Sequence, residues 1–211
     1  TELRQEKADD VKYVRALVDD VAQRHKIDRS RIFSTGVSNG AFMSHRLAAE
    51  ASDMIAAIAP VIGGMAPSIA KSFNPENPVS ILIIQGDSDP LVPIEGGEVG
   101  LGRIKRGKVV ATKDTLDRYL KLNGNKEKQG VTKIDGDPDD GTAVELTEYQ
   151  DGPGGIKTRF CLVKNGGHAW PGRPQYMPEA MIGKASQDFF ASDMICEFFK
   201  ACPPRKAAVT E

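Results

Sequence analysis

Long apolar runs are missing from this chain of 211 residues: none approaches the roughly 20 needed to span a bilayer. Net charge is nearly absent too. The 28 basic and 29 acidic side chains leave −1, which gives no electrostatic reason to expect nucleic acid or an anionic membrane as a partner. No secretory leader is legible, since Thr1 to Ala8 are charged and patternless. Cysteine is scarce. Cys161, Cys196 and Cys202 are odd in number and lack metal spacing such as C-x-x-C. They allow one disulfide plus a free thiol, or three buried thiols, and so leave the compartment open. What remains, 40% hydrophobic and 27% charged, is ordinary globular composition of a length that suits one domain.

The stretch Arg31 to Glu50, RIFSTGVSNGAFMSHRLAAE, organises the rest. A β-prone run, Arg31 to Thr35, meets Gly36-Val37-Ser38-Asn39-Gly40, and a helix-prone run follows with Phe42, Met43 and Leu47 as its apolar face. A G-x-S-x-G between strand and helix is a nucleophile elbow: the tight turn lifts the serine hydroxyl clear of the sheet. Gly36 and Gly40 are expected to be small because backbone passes close. The helix N-terminus aims free N–H groups at developing negative charge. The bare pattern is common, and a solvated serine in a Gly-rich turn reads the same way.

Elsewhere, Val11, Val14, Val18 and Val21 recur at helical spacing, with Leu17 beside them. Asp9 and Asp10 stand at that helix's start, and Arg24, His25 and Lys26 at its end. Met54 to Ile62 and Val79 to Gln85 are unbroken apolar runs, the pattern of strands buried on both faces. Met65 to Pro78 reads as loop, Glu95 to Lys108 as a solvated Gly- and charge-rich stretch able to border a cleft, and Val109 to Leu122 as a helix stopped by Asn123-Gly124. Gly130 to Gly141 reads as polar loop. Its Asp135 to Gly141 part resembles the start of an EF-hand, but Asp140 and Leu146 occupy the positions that need Gly and Glu, so no metal is expected. Thr142 to Gln150 and Ile156 to Lys164 read as a hairpin. Ser192 is expected to cap a last helix burying Ile195, Phe198 and Phe199, with a loose tail beyond Cys202.

Alternating strands and helices predict an α/β fold with a mostly parallel sheet, whose chemistry gathers beyond the carboxyl ends of the strands. Ser38, an aspartate at Asp87 or Asp89, and His168 all follow predicted strands. A serine needs a base, and an imidazole serves if a carboxylate fixes its tautomer. The order Ser, Asp, His is that of α/β-hydrolases. His25 ends a helix and His45 lies on the elbow helix, expected near the surface, so His168 is the candidate base.

Together GVSNGAFMSHRLAAE, QGDSDPLVP and NGGHAWPG resemble the polyhydroxybutyrate-depolymerase and feruloyl/acetylxylan-esterase-like group of α/β-hydrolases. That group carries an H-G-x-x-D-x-x-V-P run, here with Gln85 in place of His, and the match puts the acid on Asp89. Its G-G-G-H-x-W-P-G run is matched by His168 and Trp170, with Asn165 in place of the first Gly. The resemblance implies an α/β-hydrolase fold over 1–211 and a serine esterase with Ser38, Asp89 and His168 as catalytic residues. Asn39 N–H would be an oxyanion donor, and no metal or organic cofactor is required. It also implies small or polymeric ester substrates, such as acetyl or feruloyl esters or polyhydroxyalkanoate, and a secreted or periplasmic location. Trp170 is either a substrate wall or loop packing. Members of the group have several strands before the opening helix, including an H-G loop that supplies a second oxyanion N–H. Nothing like that precedes Val11. The expectation is therefore an upstream segment, or another copy in an oligomer, covering the elbow strand. A serine peptidase of the prolyl-oligopeptidase type and a non-catalytic carbohydrate-binding remnant fit the same residues less directly.

Overall fold

The computed structural model describes residues 9–125 and 127–205. Expectations for Thr1 to Ala8, and for the tail past Arg205, lie outside them. The two unbroken apolar runs form β2 (Ile55–Val61) and β3 (Ser80–Gly86), every residue of which is buried. Side chains of a strand alternate in direction, so β3 sends Ile81 and Ile83 into one core and Leu82 and Ile84 into the other. Both faces are covered, which is why the sequence shows no alternation there. A fully buried aliphatic side chain of this size contributes about 1.5–3 kcal/mol.

Six strands form the main sheet in the order β1-β2-β3-β8-β7-β6. β1 (Ile32–Val37), β2, β3 and β8 (Thr158–Lys164) run parallel; β7 (Ala143–Tyr149) and β6 (Lys128–Ile134) continue antiparallel. One face carries α1 (Asp10–Arg24), α2 (Asn39–Glu50) and α4 (Thr112–Asn123), through Val11, Leu47, Leu116 and Tyr119. The other is covered by α6 (Ala191–Ala201), through Ile195 and Phe198. The α1 start is as expected: Asp9 accepts from Lys12 N at 3.1 Å. Gly124, left-handed at φ 67°, ends α4.

Several expectations are corrected. Met65 to Pro78 contains a short helix, α3 (Pro67–Lys71). The stretch 95–108 is not loop but an antiparallel hairpin outside the main sheet, β4 (Gly97–Leu101) with β5 (Ile104–Val109), and it claims Val109 from the expected helix. Gly130 to Gly141 begins inside β6, an almost wholly exposed edge strand whose lysines keep it polar. The loop after His168 holds α5 (Glu179–Ile182). The last helix is capped at Phe190 without a side-chain bond, so Ser192 is not its cap. Phe199 is only half-buried, stacked on Phe33 with ring centroids 4.7 Å apart. All three cysteines are free, and Cys196 is exposed rather than buried.

β1 is the other edge of the sheet, and Val37 is 42% exposed there. Arg31 secures its start by donating to the carbonyls of Phe199, Lys200 and Cys202, where α6 ends and unpaired carbonyls collect. Outside this edge the apolar face of α1 is incompletely covered: Leu17 is 44% exposed, and Leu17, Val18 and Val21 line a depression with Ile32 and Phe33.

Candidate active site

Parallel strands put their carboxyl ends at one rim, and the turns after β1, β3 and β8 meet there. Ser38 follows β1 at φ 54° and ψ −112°, a conformation that costs a non-glycine residue about 1–3 kcal/mol. The turn holds it there: Ser38 N donates to Val61 O at 3.0 Å, and its carbonyl accepts from Ala41 N and Phe42 N. Serine at a helix start usually spends its hydroxyl on a cap. Ser38 makes no such bond, and its Oγ is left for the cleft. The Asn39 N–H opens α2 beside it, unused by the helix.

The close approach at the elbow is one-sided. A Cβ on Gly36 would lie 2.8 Å from the Gly40 backbone, whereas one on Gly40 would meet nothing within 4 Å. The expectation for Gly36 holds, and that for Gly40 is corrected. Gly63 was not singled out, yet a Cβ there would come within 2.6 Å of Ser38 O.

Asp89 follows β3. Its Oδ1 accepts from Leu91 N at 2.8 Å and Val92 N at 2.9 Å, and its Oδ2 meets His168 Nδ1 at 2.7 Å. The carboxylate is fully buried and the imidazole nearly so. Two backbone donors keep one oxygen in place, so the other can only serve His168. A carboxylate accepts, hence Nδ1 carries the hydrogen and Nε2 is left as an acceptor. Asp87 is excluded from that position. It is exposed and accepts from Asn165 N at 2.7 Å, tying the aspartate turn to the histidine turn. Gln85 is buried and donates through Nε2 to Val92 O at 3.1 Å, pinning the turn that Asp89 caps.

His168 follows β8. Its N–H donates to Ile182 O, and its carbonyl accepts from Tyr176 Oη at 2.9 Å. Ser38, Asn39, His168 and Trp170 share one cleft of about 630 Å³. No hydrogen bond joins Ser38 Oγ to His168, and such bonds often tighten only with substrate present. Trp170 lines the cleft and also packs on the core around Phe198. His25 is exposed at the end of α1. His45 is not near the surface but fully buried, its Nδ1 3.1 Å from Tyr119 Oη, and burial lowers its pKa to about 3.

The remaining walls were missed by sequence reasoning in part. Val99, Leu101, Ile104 and Arg106 come from the β4–β5 hairpin, and Tyr176 and Met177 from the loop after Trp170. A signal existed: Leu101 pairs with Ile104 across the two-residue turn Gly102-Arg103, a hairpin pattern with Gly at positive φ. Among the described residues, no cluster of His, Cys, Asp or Glu could hold a metal ion. Nor is any described helix long and apolar enough to cross a membrane.

A mostly parallel sheet flanked by helices, with a serine elbow and a paired aspartate and histidine at one rim, defines an α/β-hydrolase fold. A solved structure agrees: acetyl xylan esterase from Aspergillus awamori superposes with a TM-score of 0.52 at 13% identity, over 91% of this chain and 67% of that one. In sequence the chain is 28% identical over 204 residues to the putative esterase NocK of Nocardia uniformis subsp. tsuyamanensis, covering 94% of this chain and 59% of that protein. It is 30% identical over 168 residues to feruloyl esterase B of Piromyces equi, covering 77% and 29% respectively. Over 68 residues it is 38% identical to poly(3-hydroxyalkanoate) depolymerase C of Paucimonas lemoignei, 31% of this chain and 16% of that one. The resemblance to this esterase group is borne out. The chain thus spans little more than half of the first relative and under a third of the second. No family model matches it.

Proposed function

We propose that residues 1–211 form a catalytic domain that hydrolyses carboxylic esters through an acyl-serine. One observation carries the reading: a serine strained at φ 54°, with its hydroxyl uncommitted, shares a cleft with an imidazole whose Nδ1 is held by a buried carboxylate. Ser38 Oγ attacks the ester carbonyl while His168 Nε2 takes its proton. Asp89 keeps the imidazole in that tautomer and stabilises the imidazolium. The oxyanion draws on Asn39 N–H, and one such donor is worth about 2.7–4 kcal/mol in the transition state. The alkoxide leaves with the proton from His168, and water then attacks the acyl-serine with His168 as base. The names of the related proteins favour feruloyl, acetyl or hydroxyalkanoate esters, and a secreted or periplasmic setting fits such polymeric substrates. The β1 edge and the apolar depression beside it suit cover by an upstream segment or by a second copy of the chain.

Hydrolysis of p-nitrophenyl acetate tests the reading. Wild-type protein turns it over, and Ser38→Ala loses activity by about a thousandfold or more. Substantial turnover by Ser38→Ala removes this serine from the chemistry.

A further inference from the structure

We infer that the cleft takes an ester bearing a carboxylate on an apolar body, recognised by Arg106 and Arg173; this rests on the esterase reading for the fate of the ester but not for its binding. Both arginines line the cleft, Arg106 from β5 and Arg173 from the loop after Trp170. The rest of the lining is largely apolar, with Val99, Leu101 and Tyr176 among it. Among the described residues no acidic side chain lines the cleft, and the nearby carboxylate of Asp89 is wholly buried against His168.

Arg15, Arg46 and Arg159 each sit on a carboxylate of the protein. Arg106 and Arg173 form no ion pair and no side-chain hydrogen bond among the described residues. Both guanidiniums are therefore permanently charged forks without an internal partner. Their surroundings strengthen the bias. Along the hairpin, Arg103, Lys105, Arg106 and Lys108 face a single acidic residue, Glu98, which already pairs with Lys105. In bulk water such surface charges attract weakly. A cleft with low-dielectric walls focuses the field of one sign, and a planar carboxylate matches a guanidinium bidentately. A neutral ester uses only the apolar wall, whereas an ester with a free carboxylate uses both.

The test is calorimetric binding to Ser38→Ala protein, which holds the ligand without turning it over. Monobenzyl adipate and benzyl methyl adipate share size and apolar body and differ in the carboxylate. The expected result is tighter binding of the acid by about tenfold. That preference should shrink as salt is raised to about 0.5 M. It should vanish when Arg106→Gln and Arg173→Gln are added together, and survive in large part with Arg106→Lys and Arg173→Lys. Both ligands are compared on the same sample, so a partly unfolded variant alters stoichiometry and not the preference. Equal binding of the two compounds, binding of neither, or a preference that persists in the doubly substituted glutamine protein overturns the inference. p-Nitrophenyl acetate turnover by the wild type reports separately on the esterase reading.

Discussion

His168 Nδ1 lies 2.7 Å from Asp89 Oδ2, across 79 residues of chain, while the other oxygen of Asp89 is held by Leu91 N and Val92 N. The carboxylate therefore cannot rotate away from the imidazole without giving up two backbone hydrogen bonds. It fixes which ring nitrogen carries the hydrogen and leaves Nε2 as the acceptor.

Asp89→Asn separates orientation from folding. The amide oxygen can still accept from Leu91 and Val92, which turns the NH₂ group toward His168. That group donates to Nδ1, so the hydrogen moves to Nε2 and the imidazole can no longer accept from Ser38. The expected result is a loss in kcat of about a thousandfold or more, with the far-ultraviolet spectrum and thermal midpoint little changed. Steady-state kinetics beside a melting curve decide it. A variant within tenfold of wild type argues against Asp89 as the orienting group.

The two elbow glycines should respond differently. Gly36→Ala drives a methyl group into the Gly40 backbone and should destabilise by about 1–3 kcal/mol, with loss of activity as Ser38 shifts. Gly40→Ala enters open space at the start of a helix and should change stability by less than about 1 kcal/mol, in the favourable direction. Urea midpoints measure both. Equal losses would mean that the turn is not crowded on one side.

His45 makes stability depend on pH. Unfolded, it takes a proton near the ordinary value of about 6.5; folded, burial delays this to about pH 3. Between those values the unfolded state binds more protons, so stability rises with pH. The full contribution is present above about pH 6.5 and is lost as pH falls toward 3, roughly 2 kcal/mol of it by pH 5. His45→Gln should lower stability overall but flatten this slope. Urea unfolding at pH 7.5 and pH 5 checks it, and an unaltered slope would mean that His45 is not the group responsible.

What the sequence made legible follows from how each element is held. β2 and β3 are buried on both faces, so their composition alone marks them, and the turns that follow β1, β3 and β8 carry Gly, Asp and His in recognisable runs. β6 is held by backbone pairing to β7, with every side chain but that of Ile134 in water, and nothing in Lys128 to Ile134 declares a strand. The elbow helix misled for a different reason. Its largest apolar residues, Phe42 and Met43, are only half-buried. Ala41, Ser44, His45, Leu47 and Ala48 face inward, because small side chains let the helix lie close on β1 and β2. Ser44 survives burial by bonding to Gly40 O and Ser34 Oγ, and His45 by meeting Tyr119. A polar residue on a packed face reads as exposed until its partner, 74 positions away in the case of His45, is known.

Reaction with a fluorophosphonate, read by intact mass and peptide mapping, tests the acyl-serine mechanism most directly. One adduct per chain, mapped to Ser38 and lost or greatly slowed in Ser38→Ala and His168→Ala, is the predicted result. Folded wild-type protein that stays unmodified, or that carries the adduct on another residue, would contradict it.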